Sequence, residues 1–267
     1  MKKWVILLAS ASIAAGIFAE SNTVTSANIL GYVKVDAPPA GAFDILSLVQ
    51  FSKENDEINI QDAISNLNEL NASTTWENAD KLYVWTGTSY KQYGLYADGT
   101  DVFWMGDDAS RWTLPFVPAM PATITLRRGN AVWYTTGNNA VPAKILISGD
   151  VFMDSSFNTE VYAGFSLIAY PYSSDISLAD LSISNATASS TWGNADKLYA
   201  WTGTSYKQYG LYDDGTSVFW MGDDASRWTL PFVPATPATN TISLSKGFWY
   251  ESVSEKIVGF DRIYLND

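Results

Sequence analysis

The chain has 267 residues, with 16 Lys and Arg against 28 Asp and Glu, 14% aromatic residues, and neither histidine nor cysteine. Without those two residue types, Ser-His-Asp and Cys-His nucleophile systems, disulfides and nearly all zinc or copper ligand sets are excluded. The net charge of −12 is spread along the chain, which argues against nucleic acid or an anionic membrane surface as partner.

Residues 1–19 read as a signal peptide. Lys2 and Lys3 form a positive start, Trp4 to Ile17 an apolar run interrupted by Ser10, Ser12 and Gly16, and Ile17-Phe18-Ala19 a small-residue cleavage site. Export with cleavage after Ala19 leaves a mature chain with no transmembrane segment, and its 14 basic against 28 acidic side chains favour solubility. Residues 20–40 hold one strand, Ile29 to Val35, and a connector with Pro38 and Pro39. Phe43 to Val49 is a second strand. Ile60 to Leu70 places Ala63, Ile64, Leu67 and Leu70 at a spacing that suits one short helix.

Thr74 to Thr123 then appears twice. Ser190 to Thr239 repeats it without a gap, and only six of the fifty positions differ: Thr74/Ser190, Glu77/Gly193, Val84/Ala200, Ala97/Asp213, Asp101/Ser217 and Met120/Thr236. Two copies of one structural unit follow from that identity. Within the block, Lys81 to Trp85 and Tyr90 to Tyr96 flank a four-residue loop, Thr86 to Ser89. Asp98-Gly99 reads as a two-residue turn into Asp101 to Met105, and a Pro-rich crossing runs from Pro115 to Pro121. Strands at Thr123 to Leu126, Ala131 to Thr135 and Ala143 to Ser148 close the first unit, 41–150. After a connector at 151–163 the second unit, 164–267, repeats the plan, with Ile176 to Leu181 in place of the short helix.

Register predicts which face of the repeated strands turns inward. The loop after Trp85 sets Trp85 opposite Tyr90, Tyr83 opposite Gln92 and Lys81 opposite Gly94, and the Asp98-Gly99 turn sets Tyr96 opposite Asp101. One face then carries Leu82, Val84, Lys91, Tyr93, Leu95, Val102 and Trp104, the more aliphatic set and the expected core, with the Lys91 amine reaching water beside the loop. The other carries Lys81, Tyr83, Trp85, Tyr90, Gln92, Tyr96, Asp101, Phe103 and Met105, and is expected to face outward. Its ligand candidates are Tyr83, Trp85, Tyr90 and Gln92, with Tyr199, Trp201, Tyr206 and Gln208 in the second copy. Flat amphipathic rings beside an amide suit sugar faces, because the ring covers C–H surface while polar neighbours reach hydroxyls. These eight residues are the candidate ligand-binding set, expected as two equivalent patches, one per copy.

Other motifs have plain readings. Asp98, Asp101, Asp107 and Asp108 lie close in sequence, but they form no twelve-residue calcium loop, and Asp101 becomes Ser217 in the second copy. They read as turn carboxylates, so no metal or cofactor is expected. Asp107/Asp108 and Asp223/Asp224 are the carboxylates open to a glycoside hydrolase. Asn71-Ala72-Ser73 and Asn185-Ala186-Thr187 fit the glycosylation pattern and read as loop sequence.

Gly-Phe-x-Leu-Ile at Gly164 to Ile168, Leu-Tyr-x-Trp at Leu82 to Trp85 and Leu198 to Trp201, and Gly-Phe-Trp at Gly247 to Trp249 resemble paired β modules of secreted bacterial proteins to which no activity is assigned. That resemblance implies a secreted β-rich protein. Unit one departs from it, with Ala42 for the first glycine and Asn130-Ala131-Val132 where Gly-Phe is expected. The expectation is an all-β protein with one short helix per unit, built as two homologous sandwich or barrel-like modules about a pseudo-twofold. Its expected role is a non-enzymatic binding or structural protein of the cell surface or medium, with a glycan or surface polymer as partner. A carboxylate-only glycosidase is the second reading and an outer-membrane barrel the third.

Overall fold

The computed structural model of the chain describes residues 30–48, 56–106, 110–114, 116–138, 140–222, 228 and 233–263, so the leader expected at 1–19 lies outside them. Among the described residues nine strands build the first module: β1 (Leu30–Asp36), β2 (Phe43–Leu46), β3 (Glu57–Asn59), β4 (Lys81–Trp85), β5 (Tyr90–Ala97), β6 (Val102–Gly106), β7 (Thr125–Arg127), β8 (Val132–Thr135) and β9 (Lys144–Asp150). Ten build the second: β10 (Ser156–Val161), β11 (Gly164–Ala169), β12 (Ile176–Ser177), β13 (Ile183–Ser184), β14 (Lys197–Trp201), β15 (Tyr206–Asp213), β16 (Val218–Gly222), β17 (Thr241–Ile242), β18 (Gly247–Ser252) and β19 (Lys256–Asp261). Each module has an open five-stranded antiparallel sheet, in the order β2-β8-β4-β5-β6 and β11-β18-β14-β15-β16. Short sheets complete them, β1-β9 and β3-β7 in one, β10-β19-β13 and β12-β17 in the other. β1 and β10 come from the stretches 20–40 and 151–163 expected outside the units, yet each pairs with the last strand of its module, β9 and β19.

The core of each module lies between the five-stranded sheet and the short ones. In the first, Leu82, Tyr93, Leu95, Trp104 and Tyr134 of the large sheet pack with Val35, Leu126, Ile145 and Ile147 of the small pairs. Leu198, Tyr209, Leu211, Trp220 and Tyr250 do the same against Val161, Ile183, Val258 and Phe260. Leu82, Leu95 and Trp104 are fully buried, as their facing predicts, but Lys81, Tyr96 and Met105, expected on the outward face, are buried as well. Trp76 lies over Lys81 and Trp112 packs on Tyr96, so the indoles cover that part of the outer face. Burial of side chains of this size contributes about 1.5–3 kcal/mol each, which a chain without disulfides needs.

The β4-β5 register is the expected one, Lys81 to Gly94, Tyr83 to Gln92 and Trp85 to Tyr90. The next hairpin differs. Tyr96 pairs with Phe103 and Ala97 with Val102, so the turn is centred on Gly99-Thr100, one residue beyond the expected Asp98-Gly99. The Asp98 carboxylate accepts the N–H groups of Thr100 and Asp101, an Asx turn that moves the reversal forward, and Gly99 supplies the positive φ of +95°. The pairing shifts by two residues, so the facing is unchanged.

The short helices are absent among the described residues. Ile60–Asp62 and Leu67–Glu69 are separate 3-10 turns, and the second module has strand β12 and a turn at the corresponding place. Gln61 gives the reason. Its side chain accepts the N–H of Trp104 at 2.8 Å and donates to the carbonyls of Trp104 and Ala122 at 2.9 and 2.8 Å. The segment is thereby pinned beside the β6 edge through one side chain, which satisfies backbone groups there and keeps the chain from coiling into a continuous helix.

Two features of the repeated block fix its local form. Asp80 and Asp196 are fully buried. Asp80 accepts from the Tyr134 hydroxyl at 2.5 Å, the Gly137 N–H at 2.9 Å and the Asn71 N–H at 3.1 Å. Asp196 accepts from Tyr250, Val253 and Thr187 and pairs with Lys256 at 2.8 Å. The outer part of each large sheet is capped by a tryptophan pair, Trp76 with Trp112 and Trp192 with Trp228, both edge-to-face at 5.0 Å. Their rings lie on Gly94 and Gly210, where a Cβ would come within 2.8–2.9 Å of an indole carbon.

Candidate functional site: an aromatic face across the module junction

The two large sheets meet about a pseudo-twofold. The end of β2 lies against Ser245-Lys246, and β11 lies in the same way against Gly129 to Ala131. Matched bonds repeat on both sides: Ser47 N–H to Ser245 O at 2.8 Å and Ala169 N–H to Gly129 O at 2.8 Å. At the centre Ala131 faces Gly247. A Cβ on Gly247 would stand 2.2 Å from that of Ala131 and 2.7 Å from Ile45 Cγ2. One alanine fills the space and two do not fit, which explains why the two units differ at this position. Ile45, Ala131, Leu167 and Ala169 form the small apolar centre, with Trp85, Trp133, Trp201 and Trp249 packed on it. The buried Arg128 adds a tie from the first module to the second, pairing with Asp56, lying 4.3 Å from the Phe152 ring and reaching the Pro171 carbonyl. A Lys246-Asp44 ion pair crosses in the other direction.

Around that centre the side of each sheet turned away from the core presents aromatic rings. Their contacts close a circuit of ten: Phe43, Tyr83, Tyr90, Trp85, Trp249, Phe165, Tyr199, Tyr206, Trp201 and Trp133, then Phe43 again. Neighbouring centroids lie between 4.9 and 6.4 Å apart in tilted or edge-on contact. Strand alternation explains the set. Phe43 and Ile45, Tyr83 and Trp85, and Trp133 each point to this side, and the neighbouring strands hold them in register.

All eight candidate residues occur here. Tyr83, Trp85, Tyr90 and Gln92 share the face of the first module, and Tyr199, Trp201, Tyr206 and Gln208 that of the second. Tyr90 and Tyr206 are 39% and 38% exposed, while Trp85 and Trp201 are partly covered. Their indoles also join the modules: Trp85 Nε1 donates to Phe165 O at 3.0 Å and Trp201 Nε1 to Phe43 O at 2.9 Å. Instead of two separate patches there is one continuous face. Burial raises the phenols of Tyr90 and Tyr206 above the usual tyrosine value, although each accepts an indole N–H, from Trp133 at 3.1 Å and Trp249 at 3.2 Å. Both phenols are neutral near pH 7 and keep their own hydrogens as donors.

Sequence reasoning missed four members of the circuit, Phe43, Phe165, Trp133 and Trp249. Phe43 and Phe165 are 42% and 46% exposed, the most accessible of the ten. The signal lay in their parity with Ile45 and Leu167 on strands outside the repeated block. Two clefts of about 340 and 470 Å³ flank the junction, one walled by Trp85, Arg128 and Tyr162, the other by Trp201, Asp44 and Lys246. Among the described residues no group of three acidic side chains is placed to hold a metal ion. Asp107, Asp108, Asp223 and Asp224, the carboxylates open to hydrolysis, lie outside the described residues. No helix among the described residues is long and apolar enough to cross a membrane.

Fold and site together define a two-module all-β protein with one twofold aromatic face. The chain matches no family model, no curated protein and no solved structure in these three comparisons.

Proposed function

We propose that the protein is an exported, non-enzymatic binding protein of the cell surface or medium that holds carbohydrate on its aromatic face. The observation that carries this reading is the closed ten-ring circuit, with Phe43, Phe165, Tyr90 and Tyr206 open to solvent. A broad shallow face of rings covers the C–H surface of several sugar units at once, and phenol and amide groups at its margin reach their hydroxyls. It suits a polymer better than a monosaccharide, because the rings spread over both modules and the two clefts lie at the edge of the circuit. Retention of the mature chain on a glycan array tests the reading. Wild type is expected to retain at least one polysaccharide, and Phe43→Ala with Phe165→Ala to lose at least tenfold in affinity, roughly 1.4 kcal/mol. These two rings are exposed and their carbonyls still accept from Trp201 and Trp85, so the junction survives the change. A correctly folded double variant that retains glycan as well as wild type would remove the aromatic face from the binding role.

A further inference from the structure

The two halves of the aromatic face are not chemically equal. On β18, Glu251 stands across from Phe165 on one side and Lys197 on the other; in the first module the same place, between Phe43 and Lys81, holds Thr135. Lys197 Nζ reaches Glu251 Oε1 at 3.2 Å, and the Tyr199 hydroxyl donates to Oε2. Lys197 is 6% exposed and Glu251 29%, so the lysine is committed to the sheet while the carboxylate edge remains open to solvent. Phe165 and Tyr199 pack on each other at 5.6 Å beside it. Thr135 is 5% exposed and its hydroxyl turns to the carbonyl of Thr136. The second half thus pairs exposed rings with an anionic acceptor, and at the corresponding place the first half has a buried neutral hydroxyl.

Resting on the reading of the face as a carbohydrate platform, we propose that Glu251 is the specificity-determining group of that platform and selects neutral, hydroxyl-presenting sugars over acidic ones. A carboxylate with two lone-pair positions used by Lys197 and Tyr199 has others left, enough to accept from two adjacent sugar hydroxyls. The exposed face of Phe165, in tilted contact with Tyr199, offers the sugar ring a surface beside it. Such an acceptor repels a uronate carboxylate, and the acidic chain adds to the repulsion. The polymer therefore binds with polarity, one end of the bound stretch over the Glu251 half and the other over the Phe43 half, where Thr135 offers no anionic acceptor.

The test uses the full mature chain and isothermal titration with neutral hexasaccharides (cellohexaose, laminarihexaose and mannohexaose) and with polygalacturonate. Wild type is expected to bind at least one neutral hexasaccharide and to bind polygalacturonate at least tenfold more weakly, about 1.4 kcal/mol. Glu251→Thr, which copies the first module, is expected to weaken the neutral ligand at least tenfold and to narrow the preference against polygalacturonate. Glu251→Gln keeps the shape and the Tyr199 contact, and serves if the threonine variant fails to fold; it should weaken the neutral ligand less and narrow the same preference. Unchanged affinity and preference in a folded Glu251 variant, with the Phe43/Phe165 variant still impaired, would overturn the role of Glu251 and leave the platform standing. Binding of polygalacturonate in preference to every neutral sugar would overturn it as well. If the wild-type chain binds none of these probes, the platform reading falls and this inference falls with it.

Discussion

Ala131 and Gly247 show how a single methyl group organises the junction. With the Cβ of Ala131 already filling the gap, Gly247→Ala must displace neighbouring atoms, and the Ile168 carbonyl 3.1 Å away limits how far the strand can yield. The expected loss is about 2–3 kcal/mol, the usual scale for overpacking, read by urea unfolding. Adding Ala131→Gly removes the closest clash and should recover more than half of it, a non-additivity that substitutions without a shared space do not show. Acid stability turns on another residue. Burial pushes the Asp196 carboxyl up, but Lys256 and the bonds from Thr187, Val253 and Tyr250 outweigh it and hold it below the ordinary carboxylate range. A lowered folded pKa gives stability that is present above the unfolded value, near 4, and is lost as pH falls through the folded value. The melting temperature should therefore fall as the pH drops below about 4, and Asp196→Asn should start lower at pH 7 and flatten that limb. Tyr250 and Tyr134 have the opposite sign. Burial first, and then the neighbouring aspartate, raise both phenols far above 10, so stability should decline as pH rises beyond about 10, with neither ring ionising before the protein unfolds.

At the scale of elements, the β4-β5 hairpin was legible because its loop is self-determined. Thr86 donates its N–H to Ser89 O at 2.9 Å, and its hydroxyl bonds there too, so the register follows from four local residues with Gly87 at φ +94°. The Asp98 turn was one residue off because a side chain, not the Asp-Gly pair alone, sets the reversal. The missing helix has a tertiary cause. Ala63, Ile64 and Leu70 are buried as their spacing suggests, but Gln61 bonds to β6, forty-three positions along the chain, and no local pattern announces that. Gln61→Ala should remove three bonds at once, cost about 2 kcal/mol, and speed amide exchange at Trp104 far more than at Leu82. Asp80 and Asp196 were equally silent, since Asn-Ala-Asp-Lys reads as a polar turn until Tyr134 and Tyr250 are seen to close on it.

For the whole molecule, the duplication was plain in the sequence and the way its halves meet was not. Trp85 and Trp201 read as ligand contacts from their strand facing alone, whereas their indole bonds reach carbonyls 80 and 158 residues away and make them part of the joint as well. Because the modules share an apolar centre, paired backbone bonds and the Arg128 tie, thermal unfolding should be one cooperative transition by both fluorescence and far-ultraviolet circular dichroism. Two separated transitions would mean that the junction contributes little. The duplication also gives the aromatic face its size, since either module alone holds only five of the ten rings. The most direct test of that face follows the indole N–H signals in a ¹H–¹⁵N spectrum while a retained neutral hexasaccharide is added. The signals of Trp133 and Trp249, whose indoles bond the exposed Tyr90 and Tyr206, should shift with saturation, and those of Trp104 and Trp220 in the cores should stay fixed. Saturable binding that leaves Trp133, Trp249, Trp85 and Trp201 unmoved would contradict the account.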